Sequence, residues 1–538
     1  RGGGAPHSLQ VNVSVPAPWK PRACSIQGGS EVLRASCPGF DDVFVQTSLG
    51  TQAQPTEIGF SIQLPIKSGA TVAVFIGNGT APTTMTIAQA MSDARAKLVS
   101  RFAKFGVHNE TYAGMQIAIS WNTVYTPYEG IFTPVFRGSP WDVAKAHNYV
   151  LFEWDTYLSS MIAAHTDLWV AKSNIIRMTK SLIYAGYVAG FWNGLCGEVD
   201  KSKPPVGAFA LEYLISLAPD EHLWLAELLF DQLLMWNRWW EQSRMMSDGA
   251  LAPGSTRQMY STPLNCINQD PEGASRCETG LDNSPLYMRA GYDATFVAER
   301  NVIDSVDVGM TALYARDALA LGKLARRLGR LDAAEELEQR SARLARTLNK
   351  ELWNEDEGIY LNKMWQTNEW VPNDKSGSLT VAPTYFYPML AKVPSDLQVR
   401  RLVSRWLAND TEFCVLEQCT FGMPSISRSS SAFKDNDYWR GRAWGPMNLL
   451  VYFGLLEYPH LAEVASARRA LSAQSEATFL PEWVKHHRVM ENYNSVSGEG
   501  CDVGSAIPFY HWGALMAFLP LKEAGLLEKV AAEVEIVV

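Results

Sequence analysis

Residues 321–352 read LGKLARRLGRLDAAEELEQRSARLARTLNKEL. Leu321, Leu324 and Leu328 recur at three- and four-residue steps, and Leu337, Leu344, Leu348 and Leu352 repeat the pattern. Such spacing sets each group on one face of a helix. Gly329 and Asp332 interrupt the two runs, so the stretch is expected to fold as a helical hairpin. The same period occurs upstream in Leu225, Leu229, Leu233, Trp236 and Trp240. From about residue 140 onward the chain keeps this texture, with long loops rich in Gly, Pro, Asn and Trp at 248–289 and 363–382. Loops of that length are where function concentrates. No repeat near ~34 residues appears, which disfavours a tetratricopeptide solenoid. About twelve helices packed as antiparallel hairpins fit a closed helical toroid.

The N-terminal part differs. Val43-Phe44-Val45, Ile58-Gly59-Phe60-Ser61-Ile62 and Thr71-Val72-Ala73-Val74-Phe75-Ile76 are short β-branched runs bounded by turn residues. Thr86 to Phe105 contains no Gly or Pro beyond its flanks and reads as one helix. The expected organisation is a β-rich domain over 1–82, a linker helix over 83–115 and a helical domain over 116–538.

Composition narrows the class. The 538 residues are 47% hydrophobic and 19% charged, so the chain folds around a core. Its net charge of −9 argues against nucleic acid as a partner. The most apolar stretch, Leu223 to Trp240, is broken by Glu227, Asp231 and Arg238, so no membrane span is expected. The chain opens Arg1-Gly2-Gly3-Gly4 without a Met, as expected of a processed or partial product.

The eight cysteines contain no CxxC pair, which disfavours zinc. Short spacing predicts Cys24–Cys37, Cys266–Cys277 and Cys414–Cys419 disulfides, and Cys196–Cys501 by elimination. With four sequons at Asn12, Asn78, Asn109 and Asn409, this points to the secretory lumen or the outside of the cell.

The nine histidines form no HxxxH or HExxH pattern, and there is no phosphate-binding glycine loop or GxSxG elbow. Carboxylates set among aromatics remain. They occur in Glu153-Trp154-Asp155-Thr156, Glu278-Thr279-Gly280-Leu281-Asp282-Asn283-Ser284-Pro285 and Glu491-Asn492-Tyr493-Asn494. Tyr438-Trp439-Arg440-Gly441-Arg442-Ala443-Trp444-Gly445-Pro446 places two arginines between tryptophans, suited to orienting sugar hydroxyls or a carboxylate. Trp141 and Trp483 lie beside these loops. Asp435-Asn436-Asp437 could hold a structural calcium.

In this order, and ending on Pro508-Phe509-Tyr510-His511-Trp512-Gly513, the motifs resemble glycoside hydrolase family 63 and, more distantly, the trehalases. The resemblance runs from about Gln116 to Leu519 and includes Ile119-Ser120-Trp121-Asn122-Thr123-Val124-Tyr125 and Lys203-Pro204-Pro205-Val206. It implies a mainly α fold: an (α/α)6 barrel preceded by a smaller, reduced β-sandwich-type domain. It also implies inverting, exo-acting hydrolysis of α-linked glucosides, oligosaccharide or small. By motif, Asp282 matches the family's general acid and Glu491 its general base. Trp121, Trp154, Asp155, Arg440, Trp444 and Trp512 match the sugar-binding surroundings, and no cofactor is required. The acid loop reads Asp-Asn-Ser-Pro and departs from that of the N-glycan-processing glucosidase. A trehalase-like enzyme, a mannosyl- or glucosylglycerate hydrolase and a non-catalytic carbohydrate-binding relative are the alternatives. The pair of carboxylates argues against the last, because binding alone needs neither.

The chemistry is coherent on its own terms. Inversion needs one protonated and one ionised carboxyl with a water between the second and the anomeric carbon. Asp282 and Glu491 are far apart in sequence, so only a closed fold can join them. Leu281, Tyr287 and Met288 are the local candidates for an apolar wall around the acid.

Overall fold

A computed structural model describes residues 104–527 apart from 127–129, 136–148, 182, 185, 194–195, 260–261, 263–264 and 266–268; before them it describes seven strands and one helix. Cys24, Cys37, Cys266, Trp141 and Asn78 lie outside the described residues, as do residues 58 and 71–73 of the expected strands. The chain divides into two compact units, Arg1–Lys104 and Phe105–Val538.

The first unit holds β1 (His7–Ser14), β2 (Ser25–Gly28), β3 (Val32–Ser36), β4 (Val43–Thr47), β5 (Ala53–Thr56), β6 (Gly59–Ile66), β7 (Val74–Gly77) and α1 (Thr84–Ala103). They form two antiparallel sheets, ordered β1-β6-β5 and β2-β3-β4-β7. Val11 pairs with Ile62 in the first, and Val45 with Ile76 in the second. The three β-branched runs fall on β4, β6 and β7, and the Pro-free segment forms α1.

The second unit contains α2 (Asn109–Asn122), α3 (Glu153–Ala163), α4 (Leu168–Ser181), α5 (Gly207–Leu217), α6 (Leu223–Arg244), α7 (Pro271–Glu278), α8 (Val308–Arg327) and α9 (Leu331–Thr347). A 3₁₀ segment, Pro383–Ala391, follows, then α10 (Asp396–Arg401), α11 (Gly445–Leu456), α12 (Ala462–His486) and α13 (Leu515–Glu523). Pro388 inside Pro383–Ala391 removes a backbone donor and keeps that segment from being a regular α-helix.

An inner ring runs α3, α5, α8, Pro383–Ala391, α11, α13, each touching the next, and α13 closes on α3. The helices α2, α4, α6, α9, α10 and α12 form the outer layer, and the short α7 lies in the connection between α6 and α8. This is an (α/α)6 barrel. The expected hairpin is α8 and α9, joined at Gly329, whose φ of +71° a residue with a Cβ would adopt only under strain. Leu321, Leu337, Leu344, Leu348 and Leu352 are fully buried. Each such leucine contributes about 1.5–3 kcal/mol. On α6 the stripe Leu225, Leu229, Leu233, Trp236, Trp240 faces inward, while Arg238 points out to pair with Glu336 of α9 at 2.5 Å. Among the described residues no helix is long and apolar enough to cross a membrane.

The disulfide expectation is corrected in part. Cys414–Cys419 is formed. Cys277 is a free thiol, which excludes Cys266–Cys277. Cys501 is also free while Cys196 is disulfide-bonded, which excludes Cys196–Cys501. Spacing misled because Cys277 lies in the last turn of α7 and is directed into the barrel.

Candidate active site

The segments entering the inner helices meet at one pocket. It is lined by Phe152, Trp154 and Asp155 at the start of α3, Glu198 and Lys203 before α5, and Gln269, Cys277, Gly280 and Asp282 before α8. Tyr438 and Trp439 precede α11; Glu491, Tyr510 and Trp512 precede α13.

Each wall is fastened by groups the sequence places beside the functional ones. The loop of Asp282 is anchored at Glu278, fully buried, which accepts from Arg244 Nε at 2.6 Å and Nη2 at 2.9 Å, and from the Gly254 amide at 2.6 Å. Its far end is held by Tyr287, whose hydroxyl donates to Asp307 at 2.6 Å; Asp307 also caps α8 through the Met310 amide. Gly280 at φ +75° lies flat against Trp154: a Cβ there would come within 2.5 Å of that ring. Asn283 accepts the Trp439 amide at 2.9 Å and joins the acid loop to the aromatic loop.

The Glu491 segment is stitched on three sides. Its amide donates to Ile507 O at 2.8 Å, its carbonyl accepts Trp512 Nε1 at 3.0 Å, and Ala443 and Tyr493 exchange backbone bonds. Tyr438, at a left-handed φ of +51°, brings its hydroxyl to 3.4 Å from Glu491 Oε1. Arg442, buried, donates to Asn492 and pairs with Asp502 at 2.9 Å.

Of the residues singled out by motif, Trp154, Asp155, Asp282, Glu491 and Trp512 line the pocket together. Trp444, Arg440 and Trp121 do not. Trp444 stands behind the wall, stacked on Trp439 at 3.6 Å, and donates to Tyr438 O. Arg440 pairs with Asp435 at 2.8 Å and reaches the carbonyls of Asn283 and Met288. Trp121 is exposed and stacks on Phe509. With Asp435 paired to Arg440 and Asp437 accepting from Ser505, the Asp435–Asp437 turn is occupied by protein partners. Among the described residues no group of three or more His, Cys, Asp or Glu is placed to hold a metal ion.

Sequence reasoning left several wall residues without a role. Tyr438, Trp439 and Tyr510 lie inside quoted motifs, so their signal was present. Lys203 is quoted with Pro204-Pro205, yet nothing in that run marks it as a pocket residue. Glu198 and Gln269 carry no sequence signal.

Among the described lining residues, four carboxylates, Asp155, Glu198, Asp282 and Glu491, share the pocket with one cation, Lys203; behind the wall, buried Lys201 pairs with Glu198 at 2.7 Å. Lys203 Nζ donates to Cys277 O at 2.5 Å and lies 3.8 Å from Asp282 Oδ1. Asp282 Oδ1 is itself buried and accepts no hydrogen bond among the described residues. Burial opposes the charge on Lys203, but Asp282 and then Glu198 outweigh it and hold its pKa above the ordinary value. Leu281 and Tyr287 are buried beside the acid loop, whereas Met288 is exposed. Burial, reinforced by Asp282, pushes the Cys277 thiol up to about 12, which favours the neutral thiol over the thiolate. Behind the floor, Glu153 is fully buried, and neither of its carboxylate oxygens has a hydrogen-bond partner among the described residues. Burial, then Asp155 and Asp317, raise its pKa well above 4.5.

A closed helical barrel whose loops gather carboxylates and tryptophans into one pocket defines the class of the barrel-type carbohydrate-active enzymes. The model of the mannosylglycerate hydrolase MGH1-like glycoside hydrolase domain matches residues 148–512, and the chain belongs to that family, within glycoside hydrolase family 63. A mannosylglycerate hydrolase of Selaginella moellendorffii is 25% identical over 349 residues, 59% of this chain and 64% of the relative. The chain thus spans less than two thirds of that relative. A Thermus thermophilus mannosylglycerate hydrolase is 25% identical over 332 residues, 56% of this chain and 72% of that one. Among solved structures, a Thermus thermophilus mannosylglycerate hydrolase of glycoside hydrolase family 63, in complex with glucose, superposes with a TM-score of 0.56 at 19% identity, covering 75% of this chain and 97% of the other. Neutral trehalase from Saccharomyces cerevisiae shares the fold, with a TM-score of 0.50 at 12% identity over 76% of this chain and 78% of its own.

Proposed function

We propose that this glycoside hydrolase is exo-acting and inverting. It releases one glucose or mannose from a small α-glycoside, and its preferred aglycone carries a carboxylate, as in glucosylglycerate or mannosylglycerate. The observation that carries the reading is the pocket that unites Asp282, Glu491 and one cation, Lys203. Asp282 is the general acid that protonates the leaving oxygen. Glu491 is the general base that takes a proton from the attacking water, with Tyr438 steadying its carboxylate. Trp154, Trp439 and Trp512 meet the C–H faces of the ring, and Asp155 accepts from its hydroxyls. Lys203 is the pocket group able to pair with an acidic aglycone. Relatives named as mannosylglycerate hydrolases support this substrate class.

A neutral α-glucoside is the second reading. It is favoured by the pairing of Lys203 with Asp282 and the Cys277 carbonyl, which leaves the ammonium already compensated. Hydrolysis of mannosylglycerate, glucosylglycerate, kojibiose, nigerose, trehalose and maltose separates the two. Proton NMR of the first product, taken before mutarotation, tests inversion: an α-glucoside should yield β-glucose. Early α-glucose would overturn the roles of both carboxylates, and no turnover of the whole panel would overturn the substrate class.

A further inference from the structure

We infer that Glu198 and Gln269 are specificity-determining residues: they form a pair of acceptors for hydroxyl protons of the sugar unit held in the pocket, which rests on the reading of the pocket above. Both line the pocket, Glu198 before α5 and Gln269 before α8. Their two segments meet where Gly197 pairs with Asn265 in a parallel bridge. Glu198 is 2% exposed. Its Oε1 pairs with Lys201 Nζ at 2.7 Å, while Oε2 is buried and accepts no hydrogen bond among the described residues. Gln269 repeats the pattern. Its Nε2 donates to Cys277 Sγ at 3.5 Å, a weak acceptor, and its Oε1 is buried with no donor among the described residues. A buried acceptor without a donor costs free energy, so two of them in one pocket call for a ligand that supplies the protons.

The Glu198 carboxylate is fixed in place. Lys201, fully buried, also pairs with Asp200 at 3.2 Å, and Asp200 accepts from Ser255 Oγ at 2.6 Å. The Glu198 amide donates to Phe191 O at 3.1 Å, and its carbonyl accepts the Gly190 amide at 3.1 Å. Gly190 makes the position possible, because a Cβ there would come within 2.5 Å of Glu198 Oε2. The Gly190 carbonyl in turn accepts the Glu153 amide at 3.0 Å, which ties this turn to the start of α3 and so to Asp155. The chemistry of the ligand follows from the pair. Glu198 repels an anionic group, whereas a neutral hydroxyl can donate to either oxygen. Glu198 and Gln269 therefore take sugar hydroxyls and not an acidic aglycone.

The test is a set of double cycles that needs no aglycone. Fluoride release from α-D-glucosyl and α-D-mannosyl fluoride, and from their 2-, 3-, 4- and 6-deoxy forms, gives kcat/KM for the wild type, Glu198→Gln and Gln269→Met. Glu198→Gln keeps an acceptor for Lys201 and puts a donor in place of the other oxygen; Gln269→Met keeps the length and removes the amide. For each variant, the ratio of parent to deoxy substrate should fall about tenfold from its wild-type value at one carbon and stay within about twofold at the others. A purely structural loss lowers all substrates together and leaves every ratio unchanged, and that result would overturn the pair. It leaves the proposed function standing, since the wild type still cleaves the fluorides. A wild type that cleaves neither fluoride overturns the proposed function and the pair with it. Should Glu198→Gln fail to melt cooperatively, Gln269→Met decides alone, because it leaves no buried charge unpaired.

Discussion

The hydroxyl of Tyr510 donates to Asp155 Oδ1 at 2.6 Å, joining residues 355 positions apart. Asp155 lies in the first turn of α3 and Tyr510 just before α13, so the bond spans the seam where the inner ring closes. Both residues line the pocket. Ring closure and pocket geometry share this contact. Tyr510→Phe should therefore lower stability by about 1–3 kcal/mol, the range for weakening a buried polar pair. It should also lower kcat/KM. Thermal unfolding and steady-state kinetics on the same preparation check both, and a loss of activity with unchanged melting would separate the two roles.

Gly280→Ala should be more damaging than its size suggests. The new methyl would lie 2.5 Å from Trp154 Cζ2, at a φ of +75° that alanine resists. Trp154 has to move, and a shift of about 1 Å in a positioning group can cost 10²-fold in rate. The expected result is a large fall in kcat/KM with a lower melting temperature. Activity near that of the wild type would show that Trp154 does not set the position of the sugar.

Asp282→Asn should lower kcat by about 10²–10⁴-fold, the usual weight of general acid catalysis. The side chain is partly exposed, and its ion pair with Lys203 spans 3.8 Å, so melting should change little. The loss should be greatest for poor leaving groups, which depend on protonation. Activity within tenfold of wild type on such a substrate would place the acid elsewhere.

The helical barrel was legible because its signal is periodic: Leu321 and Leu324 of α8 and Leu337 and Leu344 of α9 repeat along one face and are buried, while Leu328, just past the end of α8, is half-buried. Asp282 and Glu491 could be singled out because each lies in a motif that resembles the family's, and both line the pocket. Lys203 and Glu198 were not, since a lone charge in a loop acquires meaning only when the chain closes around it. Trp444 shows the opposite limit. Its motif marks the place, but whether a tryptophan lines a pocket or backs its wall depends on a rotation of one residue. The Cys277 pairing failed for a similar reason: distance along the chain said nothing about the direction of the last turn of α7.

The thiols should react in a fixed order. Cys501 is exposed, whereas Cys277 is buried with its pKa pushed up to about 12. Iodoacetamide on the native protein should label Cys501 and reach Cys277 only after unfolding. Non-reducing peptide mapping should recover Cys414 linked to Cys419. Native labelling of Cys277 at a rate like that of Cys501 would contradict its burial.

Glu153 should leave a signature in the pH dependence of stability. It is buried without a hydrogen-bond partner among the described residues; burial first, then Asp155 and Asp317, raise its pKa well above the ordinary 4.5, while Lys203 opposes them. A raised carboxyl pKa means that the folded state keeps the proton while the unfolded chain releases it. Stability then falls with rising pH, starting near the unfolded value of 4.5 and continuing until the folded group ionises. Asp317, raised to about 6 mainly by burial, adds a loss of the same sign between its ordinary 3.8 and about 6. Glu153→Gln removes the ionisable group and keeps the shape. The variant's melting temperature relative to wild type should be lowest near about pH 4 and should climb by several degrees toward about pH 8. Paired thermal scans across that range decide it. A difference that stays flat with pH would mean that Glu153 has the same proton affinity folded and unfolded; one that falls with pH would mean that Lys203 outweighs burial and holds the carboxylate charged.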